Sequence, residues 1–557
     1  MRRLSILQSA AARGFFLSSA LVTLGILYWA HDYRGGNLAP IFRMLFAVYD
    51  ERGALWSLGV LVLTVFSSAV FPSRRVLPWI SDHTIVVALS TAAGLCLGAL
   101  LVYRNHPLAM DEYAPYLQSQ IFSAGKLSGR FPIALMDWLV PPHFQNTFLV
   151  VSKVTGEVTS AYWPSFALLL TPFTALGIPW ACNPVISAFT LVAAHRLALK
   201  IYGNRDAAAL VVLLTFASPV FFLDGISYYS MSAHLLANTV FALLLVEPRP
   251  GRAVLAGFVG SIALTLHNPV PHILFAMPWI VWILTRPDGI RLGACLAAGY
   301  LPLCVLLGVG WFLFTCHLRE ASLAASAGAG GFPGMLSTLS VFSVPSQSVV
   351  IARFVGFAKV WVWAVPGLVI LACVGARKSW QYPTLRLLTL SALLTLIGYF
   401  FVPLDQGHGW GYRYFHSAWI ALPLLAAGVV VPTSLSRQQS AFQGEDTRAF
   451  VVTCAVCMLL IAIPLRALQV RNFMTWDMNQ LPRYPGPERQ VVLMRSEHSF
   501  YGADLVQNDP WLRGPAIRML SHGDAADARM MAENFPDFHL VYMGPHGAVW
   551  SAKPAPE

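Results

Sequence analysis

The sequence predicts an all-α polytopic membrane protein, and three observations carry that prediction. Of 557 residues, 56% are hydrophobic and 11% charged, with a mean hydropathy of +0.60, which is more apolar side chain than one soluble core buries. Apolar runs of about 20 residues, enough to cross a bilayer core at ~1.5 Å per residue, recur as far as Ala467. The short linkers between them hold the basic residues, as cytoplasmic loops do. The net charge of +11 therefore reads as topology; no basic stripe suggests nucleic acid.

The order of elements follows. The start MRRLSILQSAAARGFFLSSALVTLGILYWA is basic and then apolar, without a small-residue cleavage site, and reads as an uncleaved first helix. Runs near 15–31, 54–72 and 84–103 complete an N-terminal transmembrane unit, 1–103. Three crossings from a cytoplasmic start put 104–161 outside as a long polar loop. A transmembrane core, 162–467, contains runs near 162–177, 183–200, 207–223, 231–246, 253–267, 271–285, 291–315, 349–373, 385–403, 416–432 and 449–467. Its Gly/Ser/Ala-rich stretch 316–348 reads as a second external loop. With an inside start, the loops 1–14, 73–83, 247–252, 286–291, 376–386 and 433–448 are cytoplasmic and hold 14 Lys/Arg against 5 Asp/Glu. One conflict arises. If 162–177, 183–200 and 207–223 all cross, Arg196, Lys200 and Arg205 fall outside and every later loop inverts, so one of these proline-broken runs does not span. The expected total is about 13 helices.

From 468 to 557 the composition turns polar. Gln490–Arg495 and Phe538–Met543 have strand character, Asp524–Asn534 is helical, and Gly544–Gly547 is a hairpin turn, so a small extracytoplasmic α/β unit closes the chain. All eight cysteines lie in or against apolar runs, without disulfide or zinc spacing.

The chemistry-bearing stretch is HPLAMDEYAPYLQSQIFSAGKL, His106–Leu127. Asp111 is placed to cap a helix through Ser123, with Pro115 in its first turn and Gly125 after its end. Tyr113, Leu117, Ile121 and Phe122 form an apolar face that predicts a helix lying on the membrane surface. A carboxylate at a helix start is favoured in its ionised form and can accept a proton. On spacing alone Asp111 and Glu112 serve equally as ordinary helix-start acids.

An Asp-Glu pair heading an interfacial helix in the first large external loop resembles the GT-C superfamily of membrane glycosyltransferases, which includes protein O-mannosyltransferases and the lipid A aminoarabinose transferase. Tyr162–Ala188, Asp224–Asn238 (DGISYYSMSAHLLAN) and Gly407–Leu425 (GHGWGYRYFHSAWIALPLL) resemble later segments of the same group, so the likeness spans most of 100–432. The chain departs from the common pattern in having extra helices before the acidic motif.

That resemblance implies a GT-C fold and inverting transfer of a sugar from a polyprenyl-phosphate donor to an extracytoplasmic glycan, lipid or protein acceptor. The setting is the bacterial inner membrane, with the active site on the periplasmic face. Asp111 is then the base and Glu112 orients it or a substrate hydroxyl. Arg413, in GWGYRYF, grips the lipid phosphate with its planar fork or, equally by sequence, anchors the chain at the interface. His267 and His272 flank a turn where relatives carry a basic phosphate-binding residue, and His143, Tyr412 and Tyr116 complete the expected substrate-binding set. Asp111, Glu112 and His143 also offer ligands to a divalent cation, but their spacing assigns no metal. Competing readings are a transporter or flippase for lipid-linked glycans, and an O-antigen polymerase or ligase. The former favours matched inverted repeats, which the two halves lack.

Overall fold

The computed structural model describes residues 9–36, 38–68, 71–324, 343–403, 408–433, 435, 441–486, 488–497 and 500–552. Helices dominate. Among the described residues six are long and apolar enough to cross a membrane: Ala10–Asp32, Thr84–Leu101, Pro179–Tyr202, Gly289–Arg319, Pro383–Phe401 and Glu445–Met478. The helices Arg205–Phe216 and Pro219–Ile226 make a further apolar pair, bent by 62° where Pro219 cannot continue the hydrogen-bond ladder. Large apolar side chains such as Leu21, Phe66 and Leu306 point outward, as lipid-facing residues do. Arg205–Phe216 is apolar on every face and accordingly lies at the centre, with Ala207 through Thr215 all buried.

The proline-bearing run near 162–177 forms only an 11-residue helix, Ser165–Ala175, about 16 Å long against a core of ~30 Å. It lies alongside Met110–Ser123, joined to it by Ser119 Oγ to Thr174 Oγ1 at 2.8 Å. The conflict in loop charge disappears with that geometry. Arg205 pairs with Asp82 and Arg74 with Glu445; Arg448 meets Asp206 at 3.5 Å and Lys200 meets Glu247 at 3.3 Å. Segments 73–83, 200–206, 247–252 and 445–448 therefore gather at one end of the bundle. Each exposed pair adds little stability, but together they mark the basic end.

At the other end, the loop 104–161 and the C-terminal residues build one structure. The loop contributes a three-stranded antiparallel sheet, Gly129–Arg130, Glu157–Ser160 and Leu149–Val151 in that spatial order, which the sequence pattern does not announce. The C-terminal sheet runs Ala516–Leu520, Gln490–Met494, Gly547–Ser551, His539–Gly544, with the first pair parallel and the others antiparallel. The expected strands, the helix Asp524–Asn534 and the hairpin turn are all present. Gly547 is required: its φ is +136°, and a Cβ there would sit 1.9 Å from the Leu493 carbonyl.

Several expectations shift. The apolar face of Met110–Ser123 does not face the membrane. Tyr113, Leu117 and Ile121 are buried in one core with Val491, Leu493, Ile517, Met519, Met530 and Met531 of the C-terminal sheet and helix, because that sheet presents its own apolar face to them. Residues 316–324 continue a helix, Trp311–Ala324, instead of opening a loop; 325–342 lie outside the described residues. The run 349–373 is two helices, Gln347–Val362 and Leu368–Lys378, and the last apolar helix continues through Met478.

A charge cluster lies inside the bundle. Asp50 accepts from the Lys359 ammonium and from Trp363 Nε1 at 2.6 Å, with Arg466 Nη1 at 3.7 Å. Arg466 also donates to the Tyr49 carbonyl at 2.9 Å and lies 4.1 Å from the Trp363 ring centroid. Two cations thus share one anion. Removing the anion leaves like charges facing each other, whereas removing Lys359 leaves a neutral pair. Asp50→Asn is therefore expected to cost about 3–5 kcal/mol and Lys359→Met distinctly less, read as thermal unfolding midpoints in detergent; the reverse order would contradict this account.

Candidate functional site

The site is built on the first turn of Met110–Ser123. A helix start leaves N–H groups without intrahelical acceptors, and here two carboxylates take them. Glu112 Oε2 accepts from the amides of Leu108 at 2.7 Å and Ala109 at 3.4 Å, and Asp504 Oδ1, from the C-terminal segment, accepts from the Met110 amide at 2.7 Å. Asp111 is not the cap. It lies within the first turn, so its side chain is left for other partners.

Those partners come from distant parts of the chain. Asp111 Oδ2 receives Arg413 Nη1 at 3.0 Å, and Oδ1 receives the Tyr162 hydroxyl. The Tyr162 ring lies 4.0 Å from that of His267, centroid to centroid. Burial works against charge on Asp111, but Arg413, His267 and the Tyr162 hydrogen bond outweigh it and hold the carboxyl below the usual carboxylate range. His267, bonded through Nδ1 to the Asn268 amide at 2.8 Å, is pushed down to about 4 by burial, against the pull of Asp111; it is neutral near pH 7.

Arg413 follows a two-strand hairpin, His408–Gly409 and Gly411–Tyr412. Gly411 turns it, with φ of +82° and Val220 within 2.8 Å of where a Cβ would be. Lys359 Nζ donates to the Gly409 carbonyl at 3.3 Å, so the buried charge cluster also braces this hairpin. The guanidinium lies 4.3 Å from the centroid of the Tyr229 ring, a cation–π contact that fixes its plane.

A cleft of about 360 Å³ opens beside this pair, lined by Asp111, Arg413, His143, Tyr229, Tyr501 and Asp504 together with Phe42, Phe144, Phe148 and Phe500. Of the residues that the sequence singles out, Asp111, Arg413 and His143 thus meet at the cleft, and His267 packs behind Tyr162. The others are elsewhere. Glu112 is fully buried; it accepts from the Tyr228 amide at 2.8 Å and the Tyr103 hydroxyl at 3.2 Å, and burial, partly offset by those donors, raises its carboxyl to about 7. Its contacts tie the turn carrying Asp111 to the Tyr228 loop. His272 lies inside a helix, bonded to Asn238 and to Tyr300, each at 2.7 Å. The Tyr412 ring is packed over Gly356, and Tyr116 lies against Tyr228 at 5.4 Å.

Tyr229, Tyr501 and Asp504 are not among the residues that the sequence singles out. Tyr229 lies in a segment that carries the family resemblance, in SYYS, but the C-terminal pair has no local signal. A divalent cation does not fit this set: Asp111 already carries a guanidinium and a phenol, Glu112 is saturated by donors, and among the described residues no group of His, Cys, Asp or Glu forms a metal cluster.

No family model matches the sequence, and no curated protein matches it. The fold does match. ArnT from Cupriavidus metallidurans in the apo state aligns with a TM-score of 0.54 at 11% identity, over 86% of this chain and 99% of that one. ArnT from the same organism bound to undecaprenyl phosphate gives 0.51 at 11% identity, over 85% and 99%. At such identity the likeness is one of fold alone.

Glu112 acts here as an acceptor only, so an amide nitrogen in its place would face an N–H donor. Glu112→Gln is expected to lower stability by about 1–3 kcal/mol, measured by thermal unfolding; an unchanged midpoint would show that these hydrogen bonds do not hold the turn.

Proposed function

We propose that this protein is a membrane glycosyltransferase that moves a sugar from a polyprenyl-phosphate carrier to an acceptor hydroxyl, with Asp111 as general base and inversion at the anomeric carbon. The observation that carries the reading is the Asp111–Arg413 pair in the wall of a cleft at the end of the bundle opposite the basic loops. The basic end is the cytoplasmic one by the charge rule, which puts the cleft on the extracytoplasmic face of a bundle crossing about 13 times. The carrier lipid is supported by the ArnT structure of like fold that holds undecaprenyl phosphate.

The chemistry divides between the two residues. The acceptor oxygen attacks the anomeric carbon from the face opposite the phosphate, the bond from carbon to phosphate oxygen breaks, and the lipid phosphate leaves with the electron pair. Asp111 takes the acceptor proton. Arg413 balances the charge growing on the phosphate. A guanidinium's planar fork of N–H donors matches a phosphate as well as a carboxylate. In the resting protein Arg413 makes Asp111 a weak base. A phosphate that draws the guanidinium's charge raises the proton affinity of Asp111 as the acceptor needs it, which links base strength to the presence of donor.

Asp111→Asn keeps the shape and removes the base; kcat is expected to fall by about 10²–10⁴-fold, measured as transfer from a polyprenyl-phosphate sugar in reconstituted membranes. Near-normal turnover of the folded variant would end the assignment.

Arg413→Ala is expected to raise the donor KM by about tenfold or more, the scale of one charge-assisted hydrogen bond. Because Arg413 holds the Asp111 carboxyl down, ionised Asp111 in the native protein survives to low pH and the acid limb of kcat/KM lies below the usual carboxylate range. Without Arg413 that limb moves to higher pH. An acid limb that stays in place would separate the two residues functionally.

A further inference from the structure

The mechanism above uses Asp111 and Arg413, yet the cleft holds a second carboxyl that it leaves idle. Asp504 comes from the C-terminal unit, far along the chain from Asp111. It is only 8% exposed and lines the cleft with Asp111, Arg413 and Tyr501. Its Oδ1 is occupied by the Met110 amide at 2.7 Å. Among the described residues no other residue donates to its Oδ2, and since the side chain is part of the cleft wall, that oxygen is available to a ligand. An unmet buried acid oxygen is costly unless a ligand or water satisfies it.

We propose that Asp504 is a sugar-recognising residue: its second oxygen hydrogen-bonds a hydroxyl or ring substituent of the transferred sugar, while Tyr501 beside it offers a ring face to the sugar's apolar side. The inference rests on the donor reading above and deepens it, because it assigns sugar selection to the C-terminal unit and phosphate binding to Arg413. Aromatic rings next to a few placed polar groups are what an orienting ligand pocket contains.

The electrostatics agree with this division. Burial foremost, then the charges of Asp111 and Asp477, raise the Asp504 carboxyl well above its ordinary range, against the lowering effect of the Met110 amide. That shift favours the neutral form of the carboxyl, which suits a sugar hydroxyl better than a phosphate. The anionic phosphodiester of the donor is better met by the Arg413 guanidinium.

The test compares the affinity of the full-length protein in nanodiscs for bare undecaprenyl phosphate with its affinity for undecaprenyl phosphate carrying a neutral hexose, a neutral pentose or an amino sugar. Wild type is expected to bind one glycosylated lipid about tenfold or more tightly than the bare lipid. Asp504→Ala should abolish that preference, with any loss of bare-lipid affinity no larger than that caused by Gln507→Ala, whereas Arg413→Ala should weaken both. Gln507→Ala is the structural control. Gln507 anchors the same segment through the Pro107 carbonyl at 2.8 Å and does not line the cleft, so the preference should survive its loss. The inference is overturned if Asp504→Ala keeps the sugar preference, if it weakens the bare lipid equally, or if Gln507→Ala abolishes the preference just as fully. It is overturned too, with the donor reading intact, if wild type binds the bare lipid and prefers no sugar. If wild type binds no lipid phosphate at all, the donor reading falls with it.

Discussion

The structure depends on how the first turn of Met110–Ser123 satisfies its amides. That turn is enclosed between the helical bundle and the C-terminal sheet, where water is scarce and an unpaired N–H is expensive. Glu112 and Asp504 supply the acceptors. Because those two acids do the structural work, Asp111 between them is released to face Arg413 and the cleft. Neighbouring carboxylates thus differ in environment and in ionisation: one saturated by donors and raised to about 7, the other paired with a guanidinium and held low.

Arg413 is held by a comparable arrangement. Its hairpin rests on Lys359, Lys359 on Asp50, and Asp50 also receives Trp363 and Arg466. The helices ahead of the acidic motif supply Asp50, and the segment before it supplies Phe42 in the cleft. Extra helices ahead of the acidic motif are therefore built into the support of the cation and into the cleft wall. Buried charges of this kind are weak sources of net stability; their effect here is to fix where a hairpin sits.

The C-terminal residues show why a domain boundary read from composition misleads. The change to polar sequence near 468 is real, and the strands and helix of the unit lie where their patterns predict. Yet Leu117 and Ile121 bury themselves among Met519, Met530 and Val491, so the unit is the other half of the core of the 104–161 loop. An apolar stripe at helical spacing has the same form whether lipid or a sheet covers it. Ser165–Ala175 shows the converse: there the positive-inside rule demanded a run that does not cross, and a short helix beside Met110–Ser123 meets that demand.

The sequence by itself determined the class of the molecule, the positions of most of its helices, the strands of its C-terminal unit, and the residues Asp111, Arg413 and His143 that meet at the cleft. Those properties follow from local composition, from hydrophobic runs against a fixed bilayer thickness, and from motifs within a few residues of one another. Only the tertiary structure decided that Glu112 braces while Asp111 faces the cleft, that His272, Tyr412 and Tyr116 pack elsewhere, and that Tyr501 and Asp504 join from the far end of the chain. Adjacent side chains on a helix diverge by about 100°, and which of them meets solvent, cation or amide is set by the elements packed against that helix, whose approach leaves no trace in nearby sequence.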